Sequence, residues 1–313
     1  MTAPVTPNEQ LAVRDLMTYY SYEASSVRKL TGGTAGFIFC ADDQYLLKVY
    51  DDRISVTERC LQDLPSQLAV LEYLQEHTPL RNRICVPVRT VQNKFLYTHE
   101  NVTGVLFRYI PGNAIGYARD YTLEEISQVA ALSKALHEID PAPIARLCPR
   151  ENFQPDFCER LRQLLAQQAD CLPWYFREPI LDARAMLVMK SIVCQETARH
   201  LKNRNLPFVL CHTDLHGGNL IADPQGRLHI IDWENLLLAP READLFAFSK
   251  KKGFSLFQEP TDPLVLSYYH LRRDLEDIWE FLCSILNQEY TAEEYPVILG
   301  HITRILAQIR EHQ

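Results

Sequence analysis

Apolar residues in this chain follow two different rhythms, one on each side of residue 120, and a single fold must accommodate both. From Thr122 onward, Ile126, Val129, Leu132, Leu136 and Ile139 recur every three or four positions behind a Thr122/Glu125 capping box, which predicts an amphipathic helix. The same period predicts helices near 155–170, 180–203, 264–287 and 292–312, separated by proline-bearing loops such as CLPW and NLPF. Before residue 120 the pattern is that of strands. The β-branched and aromatic runs FIFCA and YLLKVY, joined by Asp42-Asp43, predict a hairpin behind the glycine cluster Gly32, Gly33 and Gly36. ICVPV reads as a further strand, and GVLFRYI as another that stops at Pro111-Gly112. A short helix over 9–20 and a longer one within 58–76 complete this part. At 313 residues the chain exceeds one typical core. The expectation is an α/β protein of two lobes with a cleft between them, a mainly β lobe over 1–110 and a mostly helical one over 111–313.

Composition removes several classes of function. The formal net charge is −8 and there is no long Lys/Arg run, whereas a nucleic-acid binder needs an electropositive face to neutralise phosphates. Acid excess is compatible with a cationic small-molecule ligand and equally with solubility alone. Nine scattered cysteines without a C-x-x-C pair read as reduced thiols, not as a zinc or redox site. The first residues lack the basic and apolar regions of a signal peptide, and no apolar run reaches the length of a membrane span. A cytoplasmic protein with no nucleic-acid or membrane partner is expected, its oligomeric state left open.

The one interruption of the helical half carries the chemistry. In PFVLCHTDLHGGNLIADPQGRLHIIDW, a strand ending at Cys211 delivers His212-Thr213-Asp214 into a loop, Asn219 follows, and a second strand leads to Asp232. Asp223-Pro224-Gln225-Gly226 suits a four-residue turn. If that turn closes a hairpin, paired residue numbers sum to 449 and Asn219 faces Ile230, with Asp232 diagonal to Asn219 on the same face. An amide oxygen and a carboxylate pointing into one space are a typical Mg²⁺ set at phosphoryl-transfer sites, the remaining positions going to water and phosphate. Asp214 beside them is placed to accept the proton of an incoming hydroxyl. Each residue alone also fits an ordinary Asx turn. The spacing of all three is what points to a base and two metal ligands.

Lys48 lies within the strand YLLKVY and needs an anionic partner if buried, for which nucleotide phosphate is the candidate. The Gly32-Gly33 cluster one hairpin earlier is a candidate phosphate loop, though it departs from G-x-G-x-x-G. His212 and His216 read as hydrogen-bonding scaffolds in preference to metal ligands. On the predicted helix SYYHLRRDLEDIWEF, Asp274 and Asp277 are one turn apart and can face a cationic ligand or pair with Arg272 and Arg273. Trp233 and Tyr269 are candidate aromatic walls of the acceptor pocket, with core packing as the plain alternative.

HTDLHGGN followed by IIDW resembles the catalytic and metal loops of the aminoglycoside phosphotransferase family, relatives of the protein kinases. The resemblance extends to LTGGTAGFIF as the nucleotide loop, LLKVY as the lysine strand, LFRYIPG as the hinge and LSKALHEID as the helix leading into the larger lobe. It implies a kinase-like fold, ATP with GTP as alternative donor, and Mg²⁺. It also implies Asp214 as base, Asn219 and Asp232 as metal ligands, Lys48 on the nucleotide phosphates, and hinge backbone around Tyr109 and Ile110 on adenine. The implied acceptor is an antibiotic-like aminocyclitol or aminoglycoside. A metabolic kinase for choline, homoserine or methylthioribose, and a non-catalytic nucleotide-binding module, are the alternatives. In kinase-like folds a helix glutamate orients the lysine, yet the aligned position here is Gln67, so that Glu72 or Glu58 is expected to substitute.

Overall fold

The computed structural model describes residues 7–30, 36–51, 57–99, 102–116 and 119–312. The predicted phosphate-loop residues Gly32 and Gly33 lie outside them, as does the side chain of Glu58. The chain divides into two compact units. The first comprises Met1–Arg150, Val209–Ala239 and Lys250–Glu259, and the second Glu151–Phe208, Pro240–Ser249 and Pro260–Gln313.

The first unit is built on a five-stranded antiparallel sheet. Helix α1 (Pro7–Thr18) precedes β1 (Val27–Leu30), β2 (Gly36–Ala41) and β3 (Tyr45–Asp51); helix α2 (Thr57–His77) leads to β4 (Leu96–His99) and β5 (Val102–Arg108), in the order β1-β2-β3-β5-β4. The β2–β3 turn holds Asp42 and Asp43 at φ 51° and 53°, the left-handed pair that a tight hairpin demands and that aspartate tolerates. Period-two alternation separates the faces of β3. Leu47 and Val49 join Phe39, Leu106, Val13 and Met17 in a core between the sheet and α1. Leu46, Lys48 and Tyr50 therefore belong to the opposite face. ICVPV is not a strand: Ile84 and Pro87 make isolated bridges to Ile230 and Phe107. The Pro87 bridge is closed by Val88 N–H on Leu106 O at 2.8 Å and Arg108 N–H on Val86 O at 2.9 Å, and the segment turns from one partner to the other within three residues.

After a two-residue strand β6 (Asn113–Ala114) comes α3 (Leu123–His137), whose predicted capping box is present, Thr122 Oγ1 accepting from Glu125 N and Glu125 from Thr122 N. The rest of this unit is supplied by β7 (Val209–Cys211), β8 (Leu220–Ala222), β9 (Leu228–Ile230) and β10 (Leu237–Ala239), with β6-β8-β9 forming one small sheet and β7-β10 another. The second unit is helical: α4 (Phe157–Gln167), α5 (Trp174–Lys202), α6 (Glu242–Ser249), α7 (Pro263–Leu286) and α8 (Tyr295–Glu311). Helix α5 starts ahead of the predicted residue 180 because it tolerates Pro179 inside its second turn. The eight cysteines among the described side chains are free thiols. No described helix is long and apolar enough to cross a membrane.

Candidate active site

Strand β7 ends at Cys211 and the next three residues leave the sheet. His212, fully buried, shares a hydrogen bond with the Ile231 carbonyl through Nε2 at 2.9 Å. A carbonyl only accepts, so Nε2 carries the proton, and Nδ1 accepts the Asp214 N–H at 3.3 Å. Thr213 sits at φ 64°, a left-handed conformation that is an outlier for a β-branched residue, and its hydroxyl donates to the Asn235 carbonyl at 2.7 Å. His212 and Thr213 thus pin the Asp214 backbone from two sides. His216 Nδ1 accepts from Gly218 N–H at 3.0 Å, which leaves Nε2 as the protonated nitrogen, 3.5 Å from Asp214 Oδ1. Both histidines act as scaffolds.

Residues Gly217–Asn219 form a short 3-10 turn that brings the asparagine back onto the aspartate. Gly217 is required there, because a Cβ would lie 2.1 Å from the Gly116 carbonyl oxygen. Asn219 Nδ2 donates to the Asp214 carbonyl and to Asp214 Oδ2, both at 2.9 Å. Both acceptors are oxygens, so the amide nitrogen faces Asp214 and Oδ1 points the other way.

The hairpin register differs from the expected one. Leu220 pairs with Ile230 and Ala222 with Leu228, so paired numbers sum to 450 and Asn219 opposes Ile231, not Ile230. The reason is Gly226. Its N–H closes the predicted four-residue turn on the Asp223 carbonyl at 2.8 Å, but at φ 75° it adds one residue to the loop before Asp223 N pairs with Arg227 O. The Asn219 carbonyl accepts from Ile231 N at 3.0 Å, immediately before Asp232. Asp232 is placed by its own backbone at φ 63°, not by strand parity.

Asp232 faces the sheet. Lys48 Nζ donates to Asp232 Oδ1 at 3.1 Å and also to Glu234 Oε1, which accepts from Tyr50 OH as well. Lys48 and Tyr50 meet one carboxylate because they are two apart on β3. The lysine side chain is 10% exposed and Asp232 41%. Burial alone would lower the Lys48 pKa, but Asp232 and then Glu234 outweigh it and hold the ammonium above its usual value. Burial, with Asp232 adding to it, pushes the nearby Cys85 thiol up to about 12. Glu72 is not the lysine's partner; its carboxylate is bound to Arg89 at 2.5 and 2.7 Å. Glu234 was missed from sequence, although an acidic residue two after Asp232 was a signal for it.

The other predicted residues have partners of their own. Tyr109 donates its N–H to the Gln44 carbonyl at 2.9 Å, so that donor is engaged; Ile110 follows it just beyond β5. Trp233 is 3% exposed, donates from Nε1 to Ile230 O at 3.1 Å and packs its ring edge-on to His212. In the second unit Tyr269 is buried and donates to Glu151 at 3.2 Å. On α7, Asp274 Oδ2 is 2.7 Å from His312 Nε2 and Asp277 pairs with Arg273 at 2.8 Å, so the two carboxylates have separate partners.

The fold is shared with solved kinase-like structures. Spectinomycin phosphotransferase, in complex with ADP and spectinomycin, matches with a TM-score of 0.74 at 18% identity over 97% of this chain and 98% of that one. The GDP complex of wild-type aminoglycoside 2'-phosphotransferase-IIIa matches with 0.62 at 12% over 97% and 99%, and a choline kinase from Streptococcus pneumoniae with 0.59 at 17% over 97% and 99%. At these identities the likeness is one of fold, and the class it defines is that of the protein-kinase-like fold. The model of the phosphotransferase enzyme family matches residues 26–285, and the chain belongs to that family of phosphotransferase enzymes. Comparison with curated protein sequences gives no match.

Proposed function

We propose that this chain transfers the γ-phosphoryl group of ATP to a hydroxyl of a small cationic aminocyclitol or aminoglycoside, with spectinomycin the best single candidate, and so confers resistance to it. Residues 1–110 act as the nucleotide-binding lobe and 111–313 as the catalytic and acceptor-binding lobe, working in the cytoplasm, where free cysteines stay reduced. The observation that carries the reading is the tie between the three site residues: Asn219 holds the Asp214 carboxylate with its amide and the backbone beside Asp232 with its carbonyl.

In the reaction the acceptor oxygen bonds to Pγ as the bond from Pγ to the β-bridging oxygen breaks, ADP leaves, and the hydroxyl proton passes to Asp214. Asn219 Nδ2, bonded to Oδ2, keeps that carboxylate oriented toward the acceptor. Lys48, charged throughout, offers its ammonium to the nucleotide phosphates. The donor set fits Mg²⁺, a hard cation, since Asp232 is partly exposed and Asn219 turns its amide oxygen away from Asp214. Asp232 and Asn219 would hold the ion, which when bound neutralises charge developing on the phosphate oxygens. Trp233, Tyr269, Asp274 and Asp277 are engaged in packing or ion pairs, so the acceptor pocket is to be sought in other residues as well.

A screen for ADP release from ATP and GDP release from GTP, over spectinomycin, several aminoglycosides, choline, homoserine and methylthioribose, identifies the acceptor. Asp214→Asn is expected to abolish turnover while ADP still binds. Turnover near wild type in that variant removes Asp214 as base, and ADP release with choline alone moves the protein to the metabolic kinases.

A further inference from the structure

A lysine that binds phosphate needs a fixed carboxylate to hold its ammonium in one place, and among the described side chains of α2 none is bonded to Lys48. The α2 residue that reaches this region is Gln67, and it donates from Nε2 to the Glu234 backbone carbonyl at 2.5 Å. Its Oε1 is buried without a hydrogen-bond partner. Glu72, five residues on, is tied to Arg89.

Glu234 has the geometry for this role. Its side chain is 15% exposed, and one oxygen, Oε1, accepts from both Lys48 Nζ and Tyr50 OH. The phenol fixes the direction of the carboxylate, and Gln67 fixes the backbone that carries it. Between the two acidic residues, Trp233 is buried and bonded to Ile230 O, a rivet that holds 232 and 234 in their places at the sheet. Asp232 also contacts Lys48, but it is the more exposed carboxylate and the proposed metal ligand. Once a cation occupies Asp232, Glu234 remains as the lysine's own counter-ion.

We propose that Glu234 is the residue that positions Lys48 for the nucleotide phosphates, with Gln67 on α2 holding Glu234 by its backbone. This rests on the phosphotransfer reading above. One short segment, Asp232-Trp233-Glu234, then supplies both the metal's carboxylate and the lysine's, and α2 contributes a neutral donor in place of an anion.

Steady-state kinetics on the full chain test this, with ATP and acceptor varied separately. Glu234→Gln is expected to lower kcat/KM for ATP about 100-fold, the scale of a misplaced positioning group, with KM for the acceptor unchanged. In a Lys48→Met background the same substitution is expected to add less than about twofold, because a residue acting through Lys48 has nothing left to position. Gln67→Glu is expected to reduce activity, since it sets a carboxylate against the Glu234 carbonyl; a gain would return the role to α2 and overturn the proposal. An undiminished loss in the Lys48→Met background, or recovery at raised Mg²⁺, shows Glu234 acting on the metal and overturns it too. Should the amide variant fail to fold, Glu234→Asp keeps the charge on a shorter arm. An intermediate rise in KM for ATP is then expected, and a wild-type value counts against the proposal. If Asp214→Asn is inactive and Glu234→Gln is normal, this inference alone falls; if the wild-type chain releases no nucleoside diphosphate with any acceptor, the phosphotransfer assignment falls and this inference with it.

Discussion

Asn219 performs two tasks with one planar group. The amide nitrogen serves the Asp214 carboxylate at 2.9 Å while the oxygen faces away, toward the proposed cation. Asn219→Ala removes both, and is expected to lower kcat by at least about 100-fold with nucleotide affinity also reduced. ADP-release kinetics check this; a variant within a few-fold of wild type would reduce Asn219 to a turn former. The same doubling supports the reading of His212 and His216 as scaffolds. Each ring nitrogen of each residue already faces a neighbour, Ile231 and Asp214 for one, Gly218 and Asp214 for the other. From sequence the residue types were legible because acid, amide and imidazole chemistry is intrinsic to them. Their tautomers and the direction of the amide were not, because those depend on which atom the fold brings opposite.

Among the elements, those specified by neighbours a few positions apart follow the sequence closely. Helix α3 begins where its capping box says, behind Thr122. Thr122→Ala is expected to cost about 1 kcal/mol, measured as a lower denaturant midpoint at unchanged slope. No change in midpoint would mean that the Arg119–Glu125 ion pair holds this end by itself. The hairpin between β8 and β9 shows where local reading stops. Its turn residues are the expected ones, yet Gly226 in the left-handed region lengthens the loop by one and moves every pair by one. β10 escaped notice because LLA is too short to show a period, and it exists only by pairing with β7. ICVPV failed in the opposite direction, having strand composition but only single bridges to two different partners, Ile230 and Phe107.

For the whole chain, acid is the expected route to instability. Donors from Ser25, Tyr22 and Ser26 hold the Asp42 carboxyl down to about 2, against a usual value near 4. Asp223 moves the same way, because His229, Arg227 and the loop's backbone N–H groups outweigh the effect of burial. A carboxyl with a depressed folded pKa adds stability that is complete above the unfolded value and vanishes as pH falls through the folded one. Stability is therefore expected to be level down to about pH 4 and to drop between about pH 4 and 2. Denaturant midpoints across that range check this, and Asp42→Asn should make the decline shallower; an unaltered slope would remove Asp42 from the cause.

What this sequence determined by itself is the β2–β3 hairpin, the long helices, the β-to-helix change near residue 120, and the acid, amide and lysine identities of the site. Those depend on side-chain period, caps and turn chemistry acting over a few residues. Only the tertiary structure decided which carboxylate meets Lys48, since that pairing joins residues 186 positions apart. It also decided that Trp233 and Tyr269 are buried and that Asp274 has His312 opposite it. The free energy of burying a charge is settled by whatever group lies within a few ångströms, and position along the chain carries no record of that.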